Sequence, residues 1–176
     1  MPTIMSHAAV PIAGALLLGR QKIPIPVMVA GIAFAMLPDA DVIGFRFGIE
    51  YADSWGHRGA THSLVFAGVV ALFATALLRP EKYIIAAVYL FIAMASHGLL
   101  DTLTNGGLGA ALLWPFDDHR YFAPATPIAV SPIGVANFIS ERGIRVLISE
   151  AIWIWTPLAI FTGVVLILRK RNGKWQ

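Results

Sequence analysis

The sequence predicts an all-α, polytopic helical membrane protein, and three observations predict it. Apolar residues make up 57% of the chain against 13% charged, outside the range of soluble globular domains. Five apolar stretches of helical length contain no Lys, Arg, Asp or Glu. The chain has 176 residues, which suits one domain but leaves too much surface for a soluble fold to hide this many apolar side chains. The lipid bilayer is therefore the expected solvent, and residues 1–176 are expected to form a single integral membrane domain.

In chain order the stretches are 8–18, 23–37, 64–78, 83–100 and 151–168. Only the last two approach the roughly 20 residues that a perpendicular span needs. The first two are short, and Pro24 and Pro26 stand where the second begins, positions at which proline costs little. They read either as a re-entrant hairpin or as two thin spans. Residues 1–6 lack the basic region of a cleavable signal peptide, so the first stretch is expected to be retained. Stretches 64–78 and 83–100, joined by Arg79-Pro80-Glu81-Lys82, read as a helical hairpin. A loop region rich in Gly, Pro and aromatics runs from 101 to 145, and loops of that length are usually functional. The last stretch is expected to be a transmembrane helix followed by a basic tail.

The balance of 13 Lys and Arg against 10 Asp and Glu would suit nucleic acid, but the placement of the charges argues against such a partner. If every stretch crosses, Arg20, Lys22, Arg79, Lys82, Arg169, Lys170, Arg171 and Lys174 gather on one side, in short connections and the tail. The positive-inside rule makes that side cytoplasmic. All five histidines (His7, His57, His62, His97 and His119) and all six aspartates then fall on the other side or at its interface. The chain has no cysteine, which excludes thiolate ligands and a cysteine nucleophile, so any metal must be held by nitrogen and oxygen. There is no Gly-rich phosphate loop, no Gly-x-Ser-x-Gly and no His-Glu-x-x-His. That combination favours water activated by a metal ion over a side-chain nucleophile.

Four motifs carry the chemistry. In Ser96-His97-Gly98-Leu99-Leu100-Asp101, the His and Asp are four apart and share one helical face, so imidazole and carboxylate can converge on one ion. The alternative is a hydrogen-bonded pair that merely ends the helix. Leu37-Pro38-Asp39-Ala40-Asp41 places two carboxylates directly after a helix-stopping proline, an arrangement that is repulsive without a cation and otherwise an ordinary turn. Gly56-His57-Arg58-Gly59-Ala60-Thr61-His62-Ser63 offers two imidazoles and a guanidinium fork for phosphate or a developing oxyanion. Thr61 or Ser63 would cap the helix that follows. His7 begins the first stretch, and its side of the membrane raises it from an interfacial residue to a ligand candidate. His119, among charges and aromatics, reads as interface rim and ranks last.

Taken in order, Ser6-His7, Leu37-Pro38-Asp39-x-Asp41, His57-Arg58-x-x-Thr61-His62-Ser63 and His97-x-x-x-Asp101 resemble the inner-membrane metal-dependent hydrolase family of bacteria and archaea, some members of which are described as controlled by the SOS repressor. The resemblance covers roughly residues 1–125. It implies a membrane hydrolase in the inner membrane and says little about the substrate. A second likeness, in ligand order alone, is to zinc-dependent phospholipase C, and it implies His7, Asp39, His62, His97 and Asp101 as ligands, with Asp101 bridging two ions. Residues 125–176 lack the later His and Glu ligands of that group, so the likeness is one of chemistry.

The expected protein is therefore a hydrolase with one or two divalent ions, zinc first, held by His7, Asp39, His62, His97 and Asp101. Asp41 and His57 follow as ligand, orienter or general base, and Arg58 as the stabiliser of anionic charge. A phosphoester of a lipid or lipid-linked compound is the expected substrate, because His97 lies at the edge of its span. Two alternatives stay open: a metal-ion transporter or sensor, and a scaffold whose polar motifs only shape loops.

Overall fold

The computed structural model describes residues 1–132 and 138–172. It is all-helical, and among the described residues no strand forms. Helix α1 spans Ile4–Leu18, α2 Ile25–Met36, α3 Leu64–Leu78 and α4 Tyr83–Thr102. Helix α5, Glu141–Glu150, runs through a single π-helical turn, Ala151–Trp155, into α6, Thr156–Arg171.

Three helical segments have the length and apolarity to cross a membrane: Ile25–Phe47, Tyr83–Thr102 and Glu141–Arg171, with 23, 20 and 31 residues. α1 and α3 have 15 residues each, about 22 Å at 1.5 Å per residue, short of a 30 Å hydrocarbon core. Two boundaries differ from the sequence expectation. Pro38 does end the α-helix, but the chain continues as a 3-10 helix over Leu37–Phe47 instead of passing into a loop. The last helix begins ten residues before 151, because Glu141–Glu150 forms nearly three amphipathic turns that pack Gly143, Val146 and Glu150 inward. The loop expected over 101–145 is shorter for the same reason, and part of it lies outside the described residues. Lys174 of the basic tail is also outside them.

α1 and α2 form one antiparallel hairpin and α3 and α4 another. Their contact is built from small residues: Ala15, Ala71, Ala74 and Ala86 surround Ile23, Val27, Tyr89 and Leu90, the close approach that packs helices in lipid. Large apolar side chains point outward instead, among them Leu72, Phe73, Ile84, Val88, Phe161 and Ile167. That inversion is what a lipid solvent requires.

The start of α1, the ends of α2 and α4, and the starts of α3 and α5 all meet at one end of the bundle. The loop after α4 folds over that end. Leu64 donates its backbone N–H to the Leu112 carbonyl, Ala111 to Arg58, and Ala123 to Thr102. Isolated bridges join Thr104 to Ile128 and Ala110 to Tyr121. Arg20, Lys22, Arg79, Lys82, Arg169, Lys170 and Arg171 lie at the opposite end, where the Arg169 guanidinium also reaches the Leu17 carbonyl.

Candidate metal centre

Under the folded loop, His7, Asp39, His62, His97 and Asp101 converge from α1, the 3-10 helix, the loop before α3, and α4. One ligand atom each from Asp39, His62, His97 and Asp101 lies within 4.8 Å of the others. His97 Nε2 is 3.3 Å from Asp39 Oδ1, and His62 Nε2 is 3.3 Å from Asp101 Oδ2. On the other face, His7 Nε2 is 3.8 Å from Asp101 Oδ1 and 4.0 Å from Asp39 Oδ2. Each carboxylate thus turns one oxygen toward the His62–His97 pair and the other toward His7. The rings of His7 and His97 stack at 3.7 Å between centroids.

Local structure explains the convergence. The i, i+4 spacing puts His97 and Asp101 on one face of α4. Gly98 lets the loop come close, since a Cβ there would sit 2.3 Å from the His62 carbonyl oxygen. Ser63 caps α3, its Oγ accepting from the Phe66 N–H at 3.0 Å, and this holds His62 immediately before the helix.

The ring orientations are set by partners outside the cluster. His97 Nδ1–H donates to the Ala35 carbonyl at 2.7 Å, leaving Nε2 as a bare acceptor facing inward. His62 Nδ1 lies 3.3 Å from Asp41 Oδ2, which turns its Nε2 inward as well. The two Nε2 atoms are 3.1 Å apart, a distance at which a proton on His62 would be shared with His97 and which a cation between the two nitrogens would widen. The surroundings favour positive charge there: burial lowers the His62 imidazole, but Asp101, Asp39 and Asp41 outweigh it and push it up to about 10.

Asp41 accepts from three sides, His57 Nδ1 at 2.7 Å, the Thr61 hydroxyl at 2.8 Å and the Arg58 backbone N–H at 3.2 Å, while His62 Nδ1 lies 3.3 Å from it and 3.0 Å from the Thr61 hydroxyl. With these hydrogen bonds made, Asp41 and His57 form a chain of partners behind His62. One ligand atom each from Asp41, His57 and His62 also lies within 4.8 Å of the others, so of the roles the sequence left open both ligand and orienter fit this geometry. Thr61 serves Asp41 and Ser63 is the cap.

Arg58 is fully buried and holds φ at 68°, in the left-handed region uncommon for a non-glycine residue. Its Nε is 3.2 Å from Asp101 Oδ2, while Nη1 donates to the Gly106 carbonyl and Nη2 to Thr104 Oγ1. His119 is exposed and stands apart from the cluster, stacked edge-on with Tyr121.

The donor set fits a divalent cation. Asp39, Asp41 and Asp101 bring three negative charges, against which stand the Arg58 guanidinium and the Met1 ammonium, 3.9 Å from Asp101 Oδ1, so the cluster is acidic on balance and suits a cation. Both oxygens of Asp39, both of Asp101 and both ring nitrogens of His7 are buried without a hydrogen-bond partner, a costly condition that coordination relieves. Nitrogen and carboxylate donors of this kind suit zinc.

Two residues escaped the sequence reading. Glu150, fully buried, accepts from the Thr3 backbone N–H, Thr3 Oγ1 at 2.6 Å and Ser6 Oγ at 2.7 Å, and Trp155 Nε1 donates to the same Ser6 hydroxyl. A carboxylate from α5 thereby caps α1 one turn before His7. The signal was an acid directly preceding an apolar stretch, opposite a Thr and a Ser. Arg120 donates to the carbonyls of His57, Tyr51 and Asp53, pinning the loop that carries His57 and Arg58.

The model of the YdjM inner membrane protein family matches residues 1–173. The chain is also similar to the inner membrane protein YbcI of Escherichia coli (strain K12), 44% identical over 168 residues that cover 94% of this chain and 97% of the relative. No solved structure matches.

Proposed function

The chain belongs to the YdjM inner membrane protein family, and from that premise we propose that it is a membrane-embedded, metal-dependent hydrolase acting on a phosphoester of a lipid or lipid-linked compound. The observation that carries the reading is the set of six buried, unpartnered donor atoms of His7, Asp39 and Asp101 facing His62 and His97. Two buried carboxylates that have ion-pair contacts but no hydrogen bonds cost stability, and a catalytic ion would use such donors.

When bound, the ion, zinc by its donors, would lower the pKa of water and polarise the scissile group. The remaining work belongs to the chain. Asp41 and His57 hold His62 in one ring orientation, and the Ala35 carbonyl does the same for His97. Arg58 fixes Asp101 and supplies positive charge beside it. The loop over the bundle end shields these groups from bulk water. Asp39 and Asp101, each with one oxygen toward the His62–His97 pair and the other toward His7, would hold one or two ions together with these histidines. The segregation of basic residues at the opposite end supports a site on the non-cytoplasmic face.

The test is elemental analysis of the purified full-length protein, followed by a panel of lipid phosphoesters. One or two zinc ions per chain are expected, lost in both His97→Ala and Asp101→Ala together with phosphoester cleavage. Wild-type protein without stoichiometric metal would end the reading. Metal-loaded protein that spares every phosphoester but cleaves a soluble amide would end the substrate class alone. Zinc uptake into vesicles that depends on His97 would replace the hydrolase with a transporter, although the donors cluster at helix ends and not along a midplane path.

A further inference from the structure

Beside the metal centre lies a cavity of about 440 Å³ whose lining includes Tyr51, His57, Arg58, Gly107, Ser131 and Arg142, with no carboxylate among its lining residues. A neighbouring depression shares Arg142 and Val130 with it and adds Arg145 and Asn105, again with no acid. Arg58 is common to cavity and cluster, so the two share a wall.

Arg58 is fully buried, with three of its five N–H groups facing Asp101, Gly106 and Thr104, so it places positive charge behind the cavity wall while Arg142 supplies the exposed guanidinium. A Cβ at Gly107 would stand 2.9 Å from Arg58 Nη1 and 2.7 Å from the Tyr51 hydroxyl. Gly107 therefore packs directly against the guanidinium and the Tyr51 hydroxyl, where a side chain would not fit. Arg142 and Arg145 lie on the exposed side of α5, while Gly143, Val146 and Glu150 turn inward. Among the described residues, neither arginine is within ion-pair distance of a carboxylate.

Charge then points to the ligand. The carboxylates of the cluster already face Arg58 and the Met1 ammonium, and a divalent ion would take up the remaining negative charge. Arg142 in the cavity lining and Arg145 in the adjoining depression face no carboxylate there. Guanidinium forks approaching from two elements suit a tetrahedral oxyanion with several acceptor oxygens better than a lone carboxylate.

We propose that this cavity binds the phosphate group of the substrate, with Arg142 the residue that selects for it. The proposal rests on the metal-centre reading for its place in catalysis, but its binding test does not require the metal. Full-length protein in phosphatidylcholine nanodiscs is titrated calorimetrically with inorganic phosphate, dodecyl phosphate and dodecanoate, with and without a chelator. Dodecyl phosphate is expected to bind, and Arg142→Gln to weaken it about tenfold with or without chelator, about 1.4 kcal/mol. Arg142 is exposed, so the variant should keep the wild-type melting temperature.

If inorganic phosphate binds as well and shows the same loss, the site reads a phosphate group from either source. If only dodecyl phosphate binds, the source is a lipid headgroup. Both results support the proposal. Unchanged binding in the Arg142→Gln, Arg145→Gln double variant overturns it, as does dodecanoate binding as tightly as dodecyl phosphate. Protein that lacks metal but shows the arginine-dependent loss would end the hydrolase reading and leave this site standing.

Discussion

The two ends of the bundle are held in opposite ways. At the basic end, Ala15, Ala71, Ala74 and Ala86 pack around Ile23, Val27, Tyr89 and Leu90, and the Tyr89 hydroxyl meets the Pro11 carbonyl at 3.0 Å. Nothing in that packing demands a further group. At the other end His7, His57, Arg58, His62, His97 and Asp101 are each 2% exposed or less, yet several of their polar atoms are unmatched. The contrast teaches where stability is made and where it is given up. Close packing of small residues supplies a rigid frame, and the frame forces together side chains that would separate if free.

The largest effect that would sharpen this contrast is expected from Asp39→Asn, which keeps the shape and removes one buried carboxylate that has no hydrogen bond. Zinc stoichiometry should fall to zero by elemental analysis, while the chelator-treated protein should melt above wild type. A lower melting temperature without metal would show that the carboxylate is stabilising and the contrast false. Asp41→Asn should act more mildly, since it disturbs only the orientation of His62. Zinc affinity is expected to drop about 10–100-fold in a competition titration, with full stoichiometry at saturation.

A change at the opposite end should do the reverse. Ala86→Leu inserts volume into the small-residue core and should cost about 1–3 kcal/mol in denaturant or thermal unfolding. Zinc affinity should stay at the wild-type value. If it falls as far as in Asp41→Asn, the two ends are not separable. His119→Ala, an exposed side chain remote from the cluster, is expected to leave both measurements unchanged.

The residues brought together are those whose motifs stood out along the chain, and the reason is local. His97 and Asp101 share a helix face by spacing alone, and Asp39 and His62 stand beside helix ends that proline and serine mark. The roles within the cluster were less legible. Asp41 is two residues from Asp39 and chemically identical, but Asp41 meets His57, Thr61 and the Arg58 backbone while Asp39 meets only donors of the cluster. Glu150 went unread because its partners, Thr3 and Ser6, lie almost the full chain length away.

Composition and the spacing of apolar residues were enough to specify a helical membrane protein with its histidines and aspartates gathered at one end. Solvent preference and helical period are properties of short segments, so they survive without any knowledge of the fold. Which carboxylates face the centre, that α5 lends a cap to α1, and that Arg58 joins Asp101 to a cationic cavity depend on distances between segments far apart in the chain. Those distances are set by how the small-residue faces of the helices pack, and no pattern along the sequence encodes them.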